Sequence, residues 1–211
     1  MDTFALVADE RRRLADELDE LTDAEWALPS LCGAWTNHEV VAHLNVPFRV
    51  KASSFLFGMV KARGSFDLAN ERFAQDLARQ LDPKACIDGL RTNADHRFTP
   101  PGFGPEAPLT DTIVHGGDVL RSLGRSVAVA PEALAVALPF VTTRKAGRGF
   151  GAISSEGIHL QPDDIDVSIG AADGAPAVTG PARSMACALV GRQPFLDDLS
   201  GPGVDLLRSR L

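Results

Sequence analysis

Helical spacing governs the first two thirds of this chain. Apolar residues at Phe4, Val7, Leu14, Leu18 and Leu21 recur at helical intervals with charges between them, which lays one apolar stripe along a helix. Thr22-Asp23-Ala24-Glu25 fits a capping box, and Pro29 stops the short turn it starts. A second capping box, Thr36-Asn37-His38-Glu39, opens a helix whose buried face takes in Val40, His43 and Leu44. Pro47 has no amide hydrogen, so it must kink that helix or mark an irregularity. Phe66, Ala69, Phe73, Leu77 and Leu81 describe a further amphipathic helix, with a helical piece after it over 83–97. The run 99–108, Thr-Pro-Pro-Gly-Phe-Gly-Pro-Glu-Ala-Pro, can only be loop. Helix returns from Leu109 to Leu123, ended by Gly124 as a left-handed C′ residue. It returns again from Pro131, with Leu134, Leu138 and Val141 on one face.

The pattern changes after about residue 150. Segments 157–161, 165–169 and 177–179 are short runs with partial alternation, separated by turn-forming residues, and read as small strands. Residues 181–190 then read as helix, closed by Gly191. These patterns predict a mainly α fold. A helical bundle occupies 1–150, a small C-terminal α+β domain occupies 151–211, and a glycine-rich seam lies near 143–155.

Charge and cysteine usage exclude whole classes of function. The formal charge is 21 − 28 = −7, which repels phosphate backbones and anionic lipid, so neither nucleic acid nor a membrane surface is an expected partner. No run approaches the ~20 apolar residues needed to cross a bilayer. The positive charges near the start follow the short apolar run 4–8 rather than precede it, unlike a secretory signal. A cytoplasmic location is expected. Cys32, Cys86 and Cys187 are odd in number and include no Cys-x-x-Cys pair, so neither a disulfide framework nor a thiolate zinc cluster is expected.

The chemistry-bearing candidates are few. His43 sits in the apolar run Val-Val-Ala-His-Leu, where it is either a core imidazole bonded to a carbonyl or a metal ligand. Asp111 and His115 are four apart on a helix and project from one face, a spacing that lets two side chains grip one ion. Asp111 could equally cap that helix. Asp118, three residues on, either orients the His115 ring or pairs with Arg121. Two histidines and a carboxylate on facing helices would make an open three-ligand site. Cys32, ahead of the helix that Thr36 opens, could face a metal cavity, but a free cysteine is more often a small buried hydrophobe and is discounted as a ligand. Arg144, Lys145 and Arg148 read as a flexible surface segment, with recognition of a substrate carboxylate as the alternative.

The stretch from Pro29 to Leu44, Pro-Ser-Leu-Cys-Gly-Ala-Trp-Thr-Asn-His-Glu-Val-Val-Ala-His-Leu, resembles the maleylpyruvate isomerase family of mycothiol-dependent enzymes. That family lies within the DinB-like four-helix metal-binding superfamily. Leu-Thr-Asp-Thr-Ile-Val-His-Gly-Gly-Asp over 109–118 and Gly-Pro-Ala-Arg-Ser-Met-Ala-Cys-Ala-Leu-Val-Gly-Arg over 180–192 extend the resemblance over nearly the whole chain. It implies an up-down DinB-like bundle with a small C-terminal α+β domain. It implies that His43, Asp111 and His115 bind a divalent metal, zinc before nickel, with aspartate where the family pattern carries glutamate. The implied activity is a metal-dependent thiol transferase or isomerase that uses mycothiol as cosubstrate on a small electrophile. The implied partners are that substrate and a low-molecular-weight thiol, and a homodimer is allowed. A non-catalytic metal-binding or ligand-sensing protein and a metal-dependent hydrolase are the alternatives.

Overall fold

Both capping boxes start helices at the positions the sequence assigns. Thr22 and Thr36 each accept a bond from the backbone three residues on, and Glu25 and Glu39 each reach back to the cap amide. The structure, a computed structural model, describes residues 2–33, 35–126, 128–170 and 173–211. Its packing divides into two units, one of residues 7–98 and 115–126, the other of residues 1–6, 99–114 and 127–211.

The first unit contains most of α1 (Thr3–Leu18), then α2 (Asp23–Trp26), α3 (Asn37–Leu44), α4 (Val46–Arg49), α5 (Ala52–Lys61), α6 (Phe66–Gln80) and α7 (Pro83–Thr92). The C-terminal half of α8 (Glu106–Ser122) completes it. The apolar stripe of α1 is buried at Val7, Leu14 and Leu18, and α3 buries Val40, Val41 and Ala42. α3 packs against both α6 and α7. On α6 the expected face is buried at Ala69 and Leu77, whereas the side chain of Phe66 lies outside the described residues. The buried Arg11 donates to the carbonyls of Ala94 (3.0 Å) and His96 (2.9 Å), fastening α1 to the chain that follows α7. α8 comes close to α1 because residue 116 is glycine: a Cβ there would stand 3.1 Å from Leu14 Cδ1.

Pro47 kinks no continuous helix. α3 ends at Leu44, Asn45 turns the chain, and Pro47 falls in the first turn of α4, where its missing amide costs nothing. The fully buried Asn45 holds this break in place, its Nδ2 donating to Val41 O (2.9 Å) and Cys86 O (3.1 Å). α7 can lie that close only because residue 89 is glycine. A Cβ there would fall 2.0 Å from Asn45 Oδ1.

The second unit contains the N-terminal half of α8, then α9 (Pro131–Val141), α10 (Arg144–Gly149), β1 (His159–Pro162), β2 (Ala177–Gly180), α11 (Ala182–Leu189), a 3₁₀ turn over Gln193–Asp198 and α12 (Gly203–Arg208). β1 and β2 pair in parallel, with Leu160 opposite Val178, both fully buried. α11 packs on β1 and α12 on β2, which is the expected small α+β arrangement.

Four local expectations are corrected. Residues 106–108 are helix rather than loop, since α8 begins at Glu106 and Pro108 falls in its first turn, where a missing amide is tolerated. Segment 165–169 is not a strand; it contributes one antiparallel bridge, Ile169 to Leu160. The chain just before it bends to place Asp164 Oδ1 2.8 Å from the amide of Ala182, at the start of α11. The 143–155 seam is not loose either. Thr143 caps α10 through the Ala146 amide (3.1 Å), and Phe150 packs edge-on against Phe103 and Phe140. The basic residues 144, 145 and 148 therefore ride on a helix, with the Lys145 ammonium 5.0 Å from the centre of the Phe103 ring. Finally, α9 packs on α11, so α9 and α10 group with the α+β elements and the compact division does not follow a cut at residue 150. Among the described residues, no helix is long and apolar enough to cross a membrane.

Candidate metal centre

Two antiparallel helices bring the distant histidines together, and one buried asparagine sets their register. Asn37, the first residue of α3, donates through Nδ2 to Glu25 O (2.9 Å) and accepts from the Ser122 hydroxyl (3.1 Å) at the end of α8. From that tie His43 lies six residues along α3 (43 − 37) and His115 seven residues back along α8 (122 − 115). At about 1.5 Å of rise per residue, both rings reach the same level. Their centroids are 4.9 Å apart and the planes cross at 70°.

Asp111 stands one turn before His115 on the same helix. One donor atom from each of His43, Asp111 and His115 lies within 4.8 Å of the other two. α8 begins at Glu106, which puts Asp111 five positions beyond the first helical residue, past the orphan amides. The capping alternative is thereby removed. His43 and Asp111 are half-buried, and His115 is 8% exposed.

Asp118 sits fully buried behind the centre, its Oδ2 2.9 Å from His115 Nδ1. A carboxylate only accepts, so Nδ1 carries the hydrogen and, in the neutral ring, Nε2 keeps its lone pair. Of the two roles the sequence allows Asp118, orienting the imidazole is the one this contact expresses.

The loop before α3 supplies two residues that sequence reasoning missed or discounted. The Leu31 amide donates to the Asp118 carbonyl (3.1 Å), docking the loop on α8. Ser30 closes the loop by bonding to Trp35 O through both its amide (2.9 Å) and its hydroxyl (2.8 Å). The Trp35 ring lies 5.2 Å from His43 and 6.1 Å from His115, forming an aromatic wall. Its signal was its place just before the Thr36 cap, where an apolar residue commonly fixes the entry of the chain. Cys32, discounted as a ligand on sequence grounds, places its sulfur within 4.8 Å of donor atoms of His115 and Asp118.

The remaining histidines serve elsewhere. His38 Nε2 lies 3.9 Å from Cys86 Sγ, and burial lowers its pKa. Burial also pushes the Cys86 thiol up to about 12, so it stays protonated. His96 packs edge-on to Phe48, and His159 opens β1.

Two imidazoles and a carboxylate, a set that leaves coordination positions open, suit a divalent transition ion. Residues 7–99 match the family model described as the mycothiol maleylpyruvate isomerase N-terminal domain. No curated protein sequence matches the chain. Among solved structures, the chain is similar to a mycothiol-dependent maleylpyruvate isomerase at a TM-score of 0.60 and 18% identity, covering 95% of this chain and 92% of that one. A histidine-to-alanine mutant of a mycothiol-dependent maleylpyruvate isomerase matches at 0.59 and 17%, with the same coverage. The fold is thus the mainly helical, DinB-like one that the sequence pointed to.

Proposed function

We propose that this chain, whose residues 7–99 match the family model described as the mycothiol maleylpyruvate isomerase N-terminal domain, is a cytoplasmic, metal- and mycothiol-dependent isomerase or thiol transferase acting on a small electrophile. The observation that carries the reading is the convergence of His43, Asp111 and His115, from positions 72 apart at the extremes (115 − 43), on one point. Zinc fits two imidazoles and a carboxylate best, and nickel is the next candidate. Bound there, a divalent ion supplies an open position that lowers the pKa of an incoming thiol and screens developing negative charge.

The protein's own part is positional. Asp118 fixes the His115 tautomer that leaves Nε2 free to act as donor. Asp111 adds a negative charge that would offset part of the cation's own. Trp35 walls the centre and limits water beside the reacting thiolate. The thiolate then adds to an electrophilic carbon of the substrate. Its later departure makes the reaction an isomerisation, and its retention makes it a transfer.

The test combines metal analysis with turnover. Purified chain is assayed with mycothiol and maleylpyruvate, following isomer and free thiol separately. Metal-dependent isomer formation with thiol conserved supports the isomerase. Metal-dependent loss of thiol into a product adduct supports the transferase. Retained metal with neither reaction on a panel of electrophiles points to a sensing protein, and ester or amide cleavage without thiol points to a hydrolase; either overturns the proposal.

A further inference from the structure

His115 belongs to two overlapping groups of donors. One is the His43–Asp111–His115 set; the other is Cys32, His115 and Asp118, whose donor atoms also lie within 4.8 Å of one another. The second set is the better buried: Asp118 is fully buried and His115 nearly so, with Cys32 half-exposed beside them. Cys32 is held on both sides. Its amide donates to Ser30 Oγ (3.0 Å) and its carbonyl accepts from the Trp35 amide (3.1 Å), while the neighbouring Leu31 is bonded to Asp118 itself. This is a fixed presentation of sulfur to α8. His115 Nδ1 and Asp118 Oδ2 stand 2.9 Å apart, while donors on one tetrahedral cation at about 2.0–2.1 Å each stand roughly 3.3–3.4 Å apart, so seating an ion asks the two side chains to part by only about half an ångström.

We propose that Cys32, His115 and Asp118 form a second cation station, selective for soft, thiophilic metal ions, that competes with the first for His115. Thiolate prefers soft cations, whereas the first station offers only nitrogen and oxygen donors. Binding releases the Cys32 thiol proton to solvent. An imidazole that gives Nδ1 to a cation beside Asp118 carries its hydrogen on Nε2 and offers nothing toward His43, so the two stations exclude each other. A thiophilic ion therefore switches off the first station without occupying it. The inference does not depend on which thiol or electrophile the chain uses.

Cadmium(II) is the probe, read by thiolate-to-cadmium absorption in the ultraviolet and by mass-spectrometric mapping of iodoacetamide labelling. Wild type should gain the absorption, and cadmium should protect Cys32 from alkylation while magnesium does not. Cys32→Ala should lose the absorption and weaken cadmium binding by at least the roughly tenfold that loss of even an outer partner costs a metal site. Cys32→Ser gives the same readout if the alanine variant folds poorly. His43→Ala, which dismantles only the first station, should keep both the absorption and the protection, so this result stands apart from any failure of the mycothiol reading. Absorption that is absent in wild type, or that persists in Cys32→Ala and so arises from Cys86 or Cys187, overturns the proposal. Undiminished alkylation of Cys32 under saturating cadmium also overturns it.

Discussion

Replacing Asp118 by asparagine changes one oxygen for one nitrogen at a fully buried position and tests how the centre is oriented. The wild-type contact, 2.9 Å between His115 Nδ1 and Asp118 Oδ2, is a charge-assisted hydrogen bond of the class that contributes roughly 1.5–3 kcal/mol. Asparagine can keep the geometry but not the charge. If its oxygen faces the ring, the ring is still oriented but becomes a less basic ligand. If its amide faces the ring, it donates to Nδ1 and drives the hydrogen onto Nε2, which closes the donor atom toward His43. Either outcome weakens the first station, and loss of such an outer carboxylate costs about 10–100-fold in metal affinity, or roughly 1.4–2.8 kcal/mol. The assay is competition of Zn(II) against a chromophoric chelator, with thermal unfolding of the metal-free variant as the folding control. Unchanged zinc affinity in a folded Asp118→Asn protein would refute the claim that Asp118 sets the tautomer of His115.

Two further outcomes follow from packing and burial. Leu14→Ala removes a fully buried side chain that faces Gly116 and should lower unfolding free energy by about 2–5 kcal/mol in chemical denaturation of the metal-free protein; a loss well under 1 kcal/mol would show that α1 is not core. Burial lowers the folded-state pKa of His38 below its ordinary 6.5, so the unfolded chain takes up the proton first as pH falls. Stability is therefore full above pH 6.5 and declines below it, and His38→Gln should flatten that decline in thermal melts taken from pH 7.5 down to about 5; an unchanged slope would remove His38 as its source.

Local signals were legible wherever one stretch of chain carries its own geometry. Thr22 and Thr36 announce their helix starts because capping is complete within four residues. The Asp111–His115 pair is readable because helical spacing alone puts both on one face. The meeting of His43 with His115 was legible only through family resemblance, since it depends on a tie between Asn37 and Ser122 that no periodicity reveals. Segment 165–169 misled because alternation looks the same whether a run joins a ladder or makes one bridge. The 144–149 stretch misled because its glycines outweighed the Thr143 cap and the packing of Phe150. Trp35 carries no signal of its role, and Cys32 only a weak one, because they lie in a loop whose course is set by bonds from Ser30 and Leu31 rather than by a repeating pattern.

The central claim is that His43, Asp111 and His115 together hold one divalent ion, and metal stoichiometry tests it most directly. Wild type, His43→Ala, Asp111→Asn and His115→Ala are purified under matched conditions, loaded with Zn(II), dialysed, and measured by elemental analysis beside their thermal unfolding. Wild type should retain one equivalent of zinc and both histidine variants should lose it. Asp111→Asn should bind far more weakly with little change in the melting of the apoprotein, because Asp111 lies beyond the first turn of α8. A wild type that retains no zinc, or histidine variants that retain as much as wild type, would contradict the account.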